Sequence, residues 1–105
     1  MTRTLQVTQA DIDKSRKLRT ASTLDRQLAG YNNERDCPIG VALARTFNAE
    51  REMVRAHPDF LSIASSNWNK GYAEHWRATQ VIRDFMRQWD RFGRAEPHNF
   101  KLLDY

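Results

Sequence analysis

The sequence predicts an α+β fold, a small antiparallel sheet with a central hairpin packed against two or three helices. Three observations carry this. In VIRDFMRQWDRF, Val81, Ile82, Phe85, Met86, Trp89 and Phe92 share one helical face, and Arg83, Arg87 and Arg91 line the other at i,i+4 spacing. Phe60-Leu61-Ser62-Ile63-Ala64-Ser65 reads as a strand with Leu61, Ile63 and Ser65 on one face, and Tyr72 to Arg77 returns across an Asn-Lys-Gly turn signal. Helix and strand signals are intermixed along the chain, and the hairpin pairs locally, which favours an antiparallel sheet covered by helices.

Leu5-Gln6-Val7 alternates as a short strand. Thr8 and Asp11 then read as a capping box, with Asp in place of Glu or Gln, opening a helix over 9–18. Asp11 and Asp13 suit the positive end of that helix, and Lys14, Arg16, Lys17 and Arg19 form a solvated basic C-terminus. Leu24 and Leu28 are i,i+4 partners and predict a second helix over 23–29, capped by Thr23 and stopped by Gly30, before a Tyr31-Asn32-Asn33 loop. Asp36 is an N-cap type, and Pro38 fits the first turn of a third helix. Its buried stripe is Ile39, Ala42, Leu43, Thr46 and Phe47. Beyond Asn48 the helix restarts near Glu50 and Glu52, runs through Met53, Val54 and Ala56, and ends at His57-Pro58, where proline disfavours α geometry. Thr79 caps the last helix, Gly93 stops it, and Asn99-Phe100-Lys101-Leu102-Leu103 forms a closing strand.

The 105 residues suit one domain. Cys37 is the only cysteine, which excludes an internal disulfide and a multi-cysteine zinc site and points to a reducing cytoplasm. Long apolar runs are absent and residues 1–15 lack a signal-peptide core, so no membrane association is expected. Net charge is +4, from 17 basic and 13 acidic residues, which invites a nucleic-acid reading while the carboxylates scattered among the arginines weaken it.

The motifs VTQADID, CPIGVALARTF, a hairpin, and VIRDFMRQWDRFGRAEPHNFKLL together resemble a recurrent type of small, uncharacterised bacteriophage accessory protein. That type carries a VT-x-x-x-I opening, a CPI-x-x-AL helix, a hairpin, an IRDF helix and an EP-x-x-F-x-L end. The matching positions are Val7, Thr8, Ile12, Cys37, Pro38, Ile39, Ala42, Leu43, Ile82, Arg83, Asp84, Phe85, Glu96, Pro97, Phe100 and Leu102, while 19–35 departs from the pattern. The resemblance implies a phage accessory role in a bacterial host and supplies no catalytic residue.

Candidate chemistry is sparse. His57, His75 and His98 lack the spacing of paired metal ligands, Asp11/Asp13 and Glu50/Glu52 point to different sides of a helix, and no glycine-rich phosphate loop exists. Cys37 in a first helical turn would have a lowered thiol pKa, but a nucleophile needs a base and an oxyanion site, so a buried structural role is the better reading. No enzyme, cofactor or metal is expected. Binding is easier to support, with Trp68, Lys70, Tyr72 and Trp76 in the hairpin and Arg83, Arg87 and Arg91 on the helix as partner-binding candidates, and Arg77 and Arg94 at the ends. The expected partner is a host protein or ribonucleoprotein complex, such as a CRISPR-type defence component that the protein inhibits or redirects. The alternative is direct nucleic-acid binding through the arginine face and the hairpin rings.

Register decides what those rings do. The favoured three-residue Asn69-Lys70-Gly71 loop sets Trp68 opposite Tyr72 and Ala64 opposite Trp76, with Trp68, Tyr72 and Trp76 on one face, whereas a two-residue Lys70-Gly71 loop would move Trp68 to the face opposite Tyr72 and Trp76. They then either pack beneath the 81–92 helix or form an exposed partner site.

Overall fold

The computed structural model describes residues 3–24, 31–64 and 72–105. Strands β1 (Arg3–Val7), β2 (Val54–Ala56), β3 (Phe60–Ala64), β4 (Tyr72–Arg77) and β5 (His98–Asp104) form one antiparallel sheet in the order β1-β5-β4-β3-β2. Helices α1 (Gln9–Leu24), α2 (Asn33–Asp36), α3 (Pro38–Thr46) and α4 (Gln80–Phe92) complete the α+β architecture. Among the described residues no helix is long and apolar enough to cross a membrane.

The sheet's inner face carries Leu5, Val7, Val54, Ala56, Leu61, Ile63, Trp76, Phe100 and Leu102, all buried. Helices α1, α3 and α4 deliver Ile12, Ile39, Leu43, Ile82 and Trp89 to that same cluster. Cross-strand partners share a face, and the pairs Leu5↔Phe100, Leu61↔Trp76 and Val54↔Ile63 fix the inner set.

Local chemistry explains most boundaries. Thr8 and Asp11 form the predicted reciprocal box, the Thr8 amide donating to Asp11 Oδ2 at 2.9 Å and the Asp11 amide to Thr8 Oγ1 at 3.2 Å. At the start of α4, Thr79 Oγ1 accepts from the Ile82 amide, and at its end Gly93 takes the left-handed conformation (φ 64°) that glycine adopts without cost. Gly40 is required for a different reason. A Cβ there would stand 2.3 Å from the Arg35 carbonyl oxygen, so α2 and α3 cross too closely for any side chain.

Several expectations change. Helix α1 runs to Leu24, past the predicted end at 18, and its basic run lies in mid-helix. Arg19 is not a solvated terminal charge: its guanidinium donates to the Trp89 and Asp90 carbonyls and lies 5.5 Å over the Trp89 ring, so it clamps the negative end of α4. Thr23 and Leu24 belong to α1, while the remainder of the helix expected over 23–29 falls outside the described residues. Asn33 opens α2 instead of closing a loop, because Asn32 Oδ1 accepts from the Glu34 and Arg35 amides. Cys37, not Asp36, caps α3, its Sγ accepting from the Gly40 amide at 3.4 Å. Residues 51–56 form a short 3₁₀ turn and the edge strand β2, not a continued helix, because Val54 and Ala56 alternate inward to pair with β3.

Candidate anion-binding surface

The outer side of α4 is built by helical periodicity. Burying Ile82, Met86 and Trp89 forces Arg83, Arg87 and Arg91 outward, and all three are exposed. Beyond Gly93, Arg94 extends the row. The apolar stripe is narrower than predicted, because Val81 and Phe92 at its two ends are 56% and 64% exposed. Phe92 therefore adds an exposed ring to the arginine face.

Three adjoining hollows run along this surface. The first, about 510 Å³, is lined by Asp59, Arg77, Thr79, Arg83, Leu103 and Tyr105. The second, about 450 Å³, shares Arg83 with it and adds Pro58, Arg87, Asp90 and Arg91. The third, about 480 Å³, shares Arg87 and Arg91 and adds Asp84, Phe92 and Arg94. Five arginines thus face three carboxylates, Asp59, Asp84 and Asp90, along one continuous track. Arg83 donates to the Ala78 carbonyl at 3.2 Å and Asp84 accepts from Gln80 at 2.8 Å. Arg77, Arg87, Arg91 and Arg94 make no ion pair or hydrogen bond with the described residues. Burial pushes the Asp90 carboxyl up from its ordinary value, against the opposing pull of Arg19.

A second basic hollow, between α1 and α3, has both of its carboxylates already engaged. Arg45 pairs through two nitrogens with the buried carboxylate of Asp11, and Arg51 does the same with buried Asp36. Asp36 also accepts from the Asn32 amide at 2.9 Å. Burial alone would raise the Asp11 carboxyl, but the Arg45 guanidinium and the Thr8 amide outweigh it and hold it below its ordinary value. These pairs tie α1, α2, α3 and the turn before β2 together, which gives Arg45 and Arg51 a structural role and leaves Lys14 and Arg35 as the hollow's other cations.

The hairpin candidates fare differently from the helix candidates. Trp76 is 1% exposed, its ring 5.1 Å from that of Phe47, so it is core and offers no partner surface. Trp68 and Lys70 lie outside the described residues, as does the side chain of Tyr72, whose backbone starts β4. The predicted register is also corrected. Ala64 pairs with Tyr72, not Trp76, and a bulge follows Ile63, while the Asn69-Lys70-Gly71 turn itself lies outside the described residues. Trp76 accordingly pairs with Leu61 and His75 with Ser62.

That register creates a feature the sequence did not announce. On the face opposite the core, His57 stacks on Phe60 (4.9 Å, 17°), Phe60 meets His75 edge-on (5.3 Å, 84°), and His75 stacks on Tyr105 (4.1 Å, 6°). Arg55 lies 5.2 Å over Phe60 and is held by Glu34 through two hydrogen bonds. The signal available in the sequence was the outward set Phe60, Ser62 and Ala64, which the apolar run concealed.

Cys37 is buried, and desolvation pushes its thiol up to about 12, opposite to the lowering expected from a first-turn position. Burial therefore outweighs the helix amides, and the group is a thiol at neutral pH. Among the described residues no three His, Cys, Asp or Glu side chains are grouped to hold a metal ion. The chain matches no protein-family model, no curated protein and no solved structure.

Proposed function

We propose that this protein is a non-enzymatic binding module that docks on an anionic macromolecule through the arginine track of β4 and α4. The observation that supports it is the row Arg77, Arg83, Arg87, Arg91 and Arg94, four of which lack a partner among the described residues. Guanidinium groups pair bidentately with phosphate or carboxylate, and here they are presented by a helix capped at both ends. Phe92 beside them supplies the aromatic contact common in binding hot spots. The resemblance to small phage accessory proteins supports a host component as the macromolecule, a defence ribonucleoprotein among them.

The test compares wild type with the Arg87→Gln/Arg91→Gln variant for binding to poly-L-glutamate and to a mixed-sequence oligonucleotide at low salt. Loss of binding to at least one polymer in the folded variant supports the reading. Equal binding by both proteins, or no binding of either polymer by wild type, refutes it.

A further inference from the structure

We infer that the anionic ligand is a single-stranded nucleic acid, its phosphates following the arginine track and its bases stacking on the outer face of the sheet. This rests on the anionic-partner reading above and adds the ligand's class. The deciding observation is that the ring ladder and the track meet in one place. Tyr105, the last ring of the ladder, lines the first hollow together with Arg77 and Arg83.

Tyr105 is 64% exposed, and its ring lies parallel to His75 at 4.1 Å, so one face is supported by the sheet and much of the remainder is open. Behind it His75, Phe60 and His57 continue the ladder across β4 and β3, with exposed Leu103 alongside on β5. Arg77 and Lys101 are exposed on the same sheet face, placing cations beside the rings. The carboxylates nearby are Glu34, engaged by Arg55, and Asp59, within salt-bridge range of His57. Ser62, between Arg55 and His75 in the pairing, is the one buried side chain among the described residues whose polar atom finds no hydrogen-bond partner.

Three ligand classes can be separated by this geometry. An acidic protein surface would use the arginines and leave the rings idle. A duplex offers phosphates, but its bases are stacked on one another and present no free face. An unpaired strand uses both parts, since each base has a face for stacking and each linkage a phosphate for a guanidinium.

Fluorescence anisotropy with a labelled mixed-sequence oligonucleotide, its duplex form and labelled poly-L-glutamate tests this, using wild type, Tyr105→Ala, Tyr105→Phe and Arg87→Gln/Arg91→Gln. Tyr105 is outside the core, and circular dichroism with a thermal melt checks that each variant is folded. The expected result is preference for the single strand, weakened on the order of tenfold by Tyr105→Ala and preserved by Tyr105→Phe. The salt dependence of single-strand binding should be unchanged in Tyr105→Ala, and its slope should fall by about 1.4 in Arg87→Gln/Arg91→Gln. If that double variant weakens binding while duplex or poly-L-glutamate binds as well as the single strand, or Tyr105→Ala has no effect, the single-strand inference fails and the anionic-partner reading stands. If the double variant changes nothing, both fail.

Discussion

Gly40→Ala sets two physical effects against each other. In an exposed helix the substitution would stabilise by about 1 kcal/mol, because alanine is the better helix former. In α3 the new Cβ would lie 2.3 Å from the Arg35 carbonyl oxygen, 2.7 Å from its carbon and 3.0 Å from the Glu34 oxygen. All three are backbone atoms, so no rotamer change relieves the contact. Ordinary contact begins at 3.4 Å, and α2 must therefore retreat by roughly 1 Å from α3. Overpacking of this kind costs about 1–3 kcal/mol. The retreat also loosens Asp36, which accepts from the Asn32 amide and pairs with Arg51, and disturbing a buried ion pair costs up to about 3 kcal/mol more.

The net expectation is a loss of about 2–4 kcal/mol, a large share of a small domain's stability. Urea unfolding followed by circular dichroism should show the midpoint falling by about 1–3 M at an unchanged slope. A midpoint equal to or above wild type would refute the close crossing of α2 and α3.

Acid stability follows from two carboxylates held below their ordinary values. Glu34 is lowered chiefly by its hydrogen bond from Arg55, and Asp11 by Arg45 and the Thr8 amide after burial is overcome. Depressed folded-state values mean that this stabilisation is full above the unfolded values, near 4.5 and 3.8, and is lost as pH falls through the lower folded ones. Arg45→Gln should flatten the acid limb of a stability–pH profile, and an unaltered limb would contradict the Asp11 assignment. Cys37 should resist thiol reagents: a rise from 9.0 to about 12 lowers the thiolate population by about a thousandfold at neutral pH. Labelling with a disulfide reagent in native and denaturing buffer checks this, and native rates within tenfold of denatured ones would show that the thiol is accessible.

Legibility tracked how locally each feature is determined. Helix α4 was readable because Thr79, Gly93 and a repeated apolar face all mark the same span. Strands β3 and β4 were readable as segments, but their register was not, since it shifts at a bulge after Ile63 that no local motif marks. Strand β2 was misread as helix because Val54–Ala56 is too short to show a period and takes its form from pairing with β3. Helical spacing sufficed to find Arg83, Arg87 and Arg91. His57, Phe60, His75 and Tyr105 come from different segments and meet only once the register is known.

Arg91 is the position where binding separates most cleanly from folding. Arg87 has carboxylates at i−3 and i+3, Asp84 and Asp90, which offset its repulsion from Arg83 and Arg91. Arg91 has Arg87 four residues before it and Gln88 three before on the helix, with Asp90 adjacent and Arg94 beyond Gly93. Its own favourable term is the C-terminal dipole of α4, about 0.3–1 kcal/mol. Repulsion from Arg87 opposes that by about 0.2–0.5 kcal/mol, so Arg91→Gln should leave stability nearly unchanged. One charged hydrogen-bonding contact to an anion, in contrast, is worth enough to lower affinity on the order of tenfold when removed. A melting temperature within about 3 °C of wild type, together with that loss of oligonucleotide binding, is the expected pair of results. Intact binding in a folded Arg91→Gln protein would mean that the helix row is solvated surface, and the arginine track would no longer describe the site.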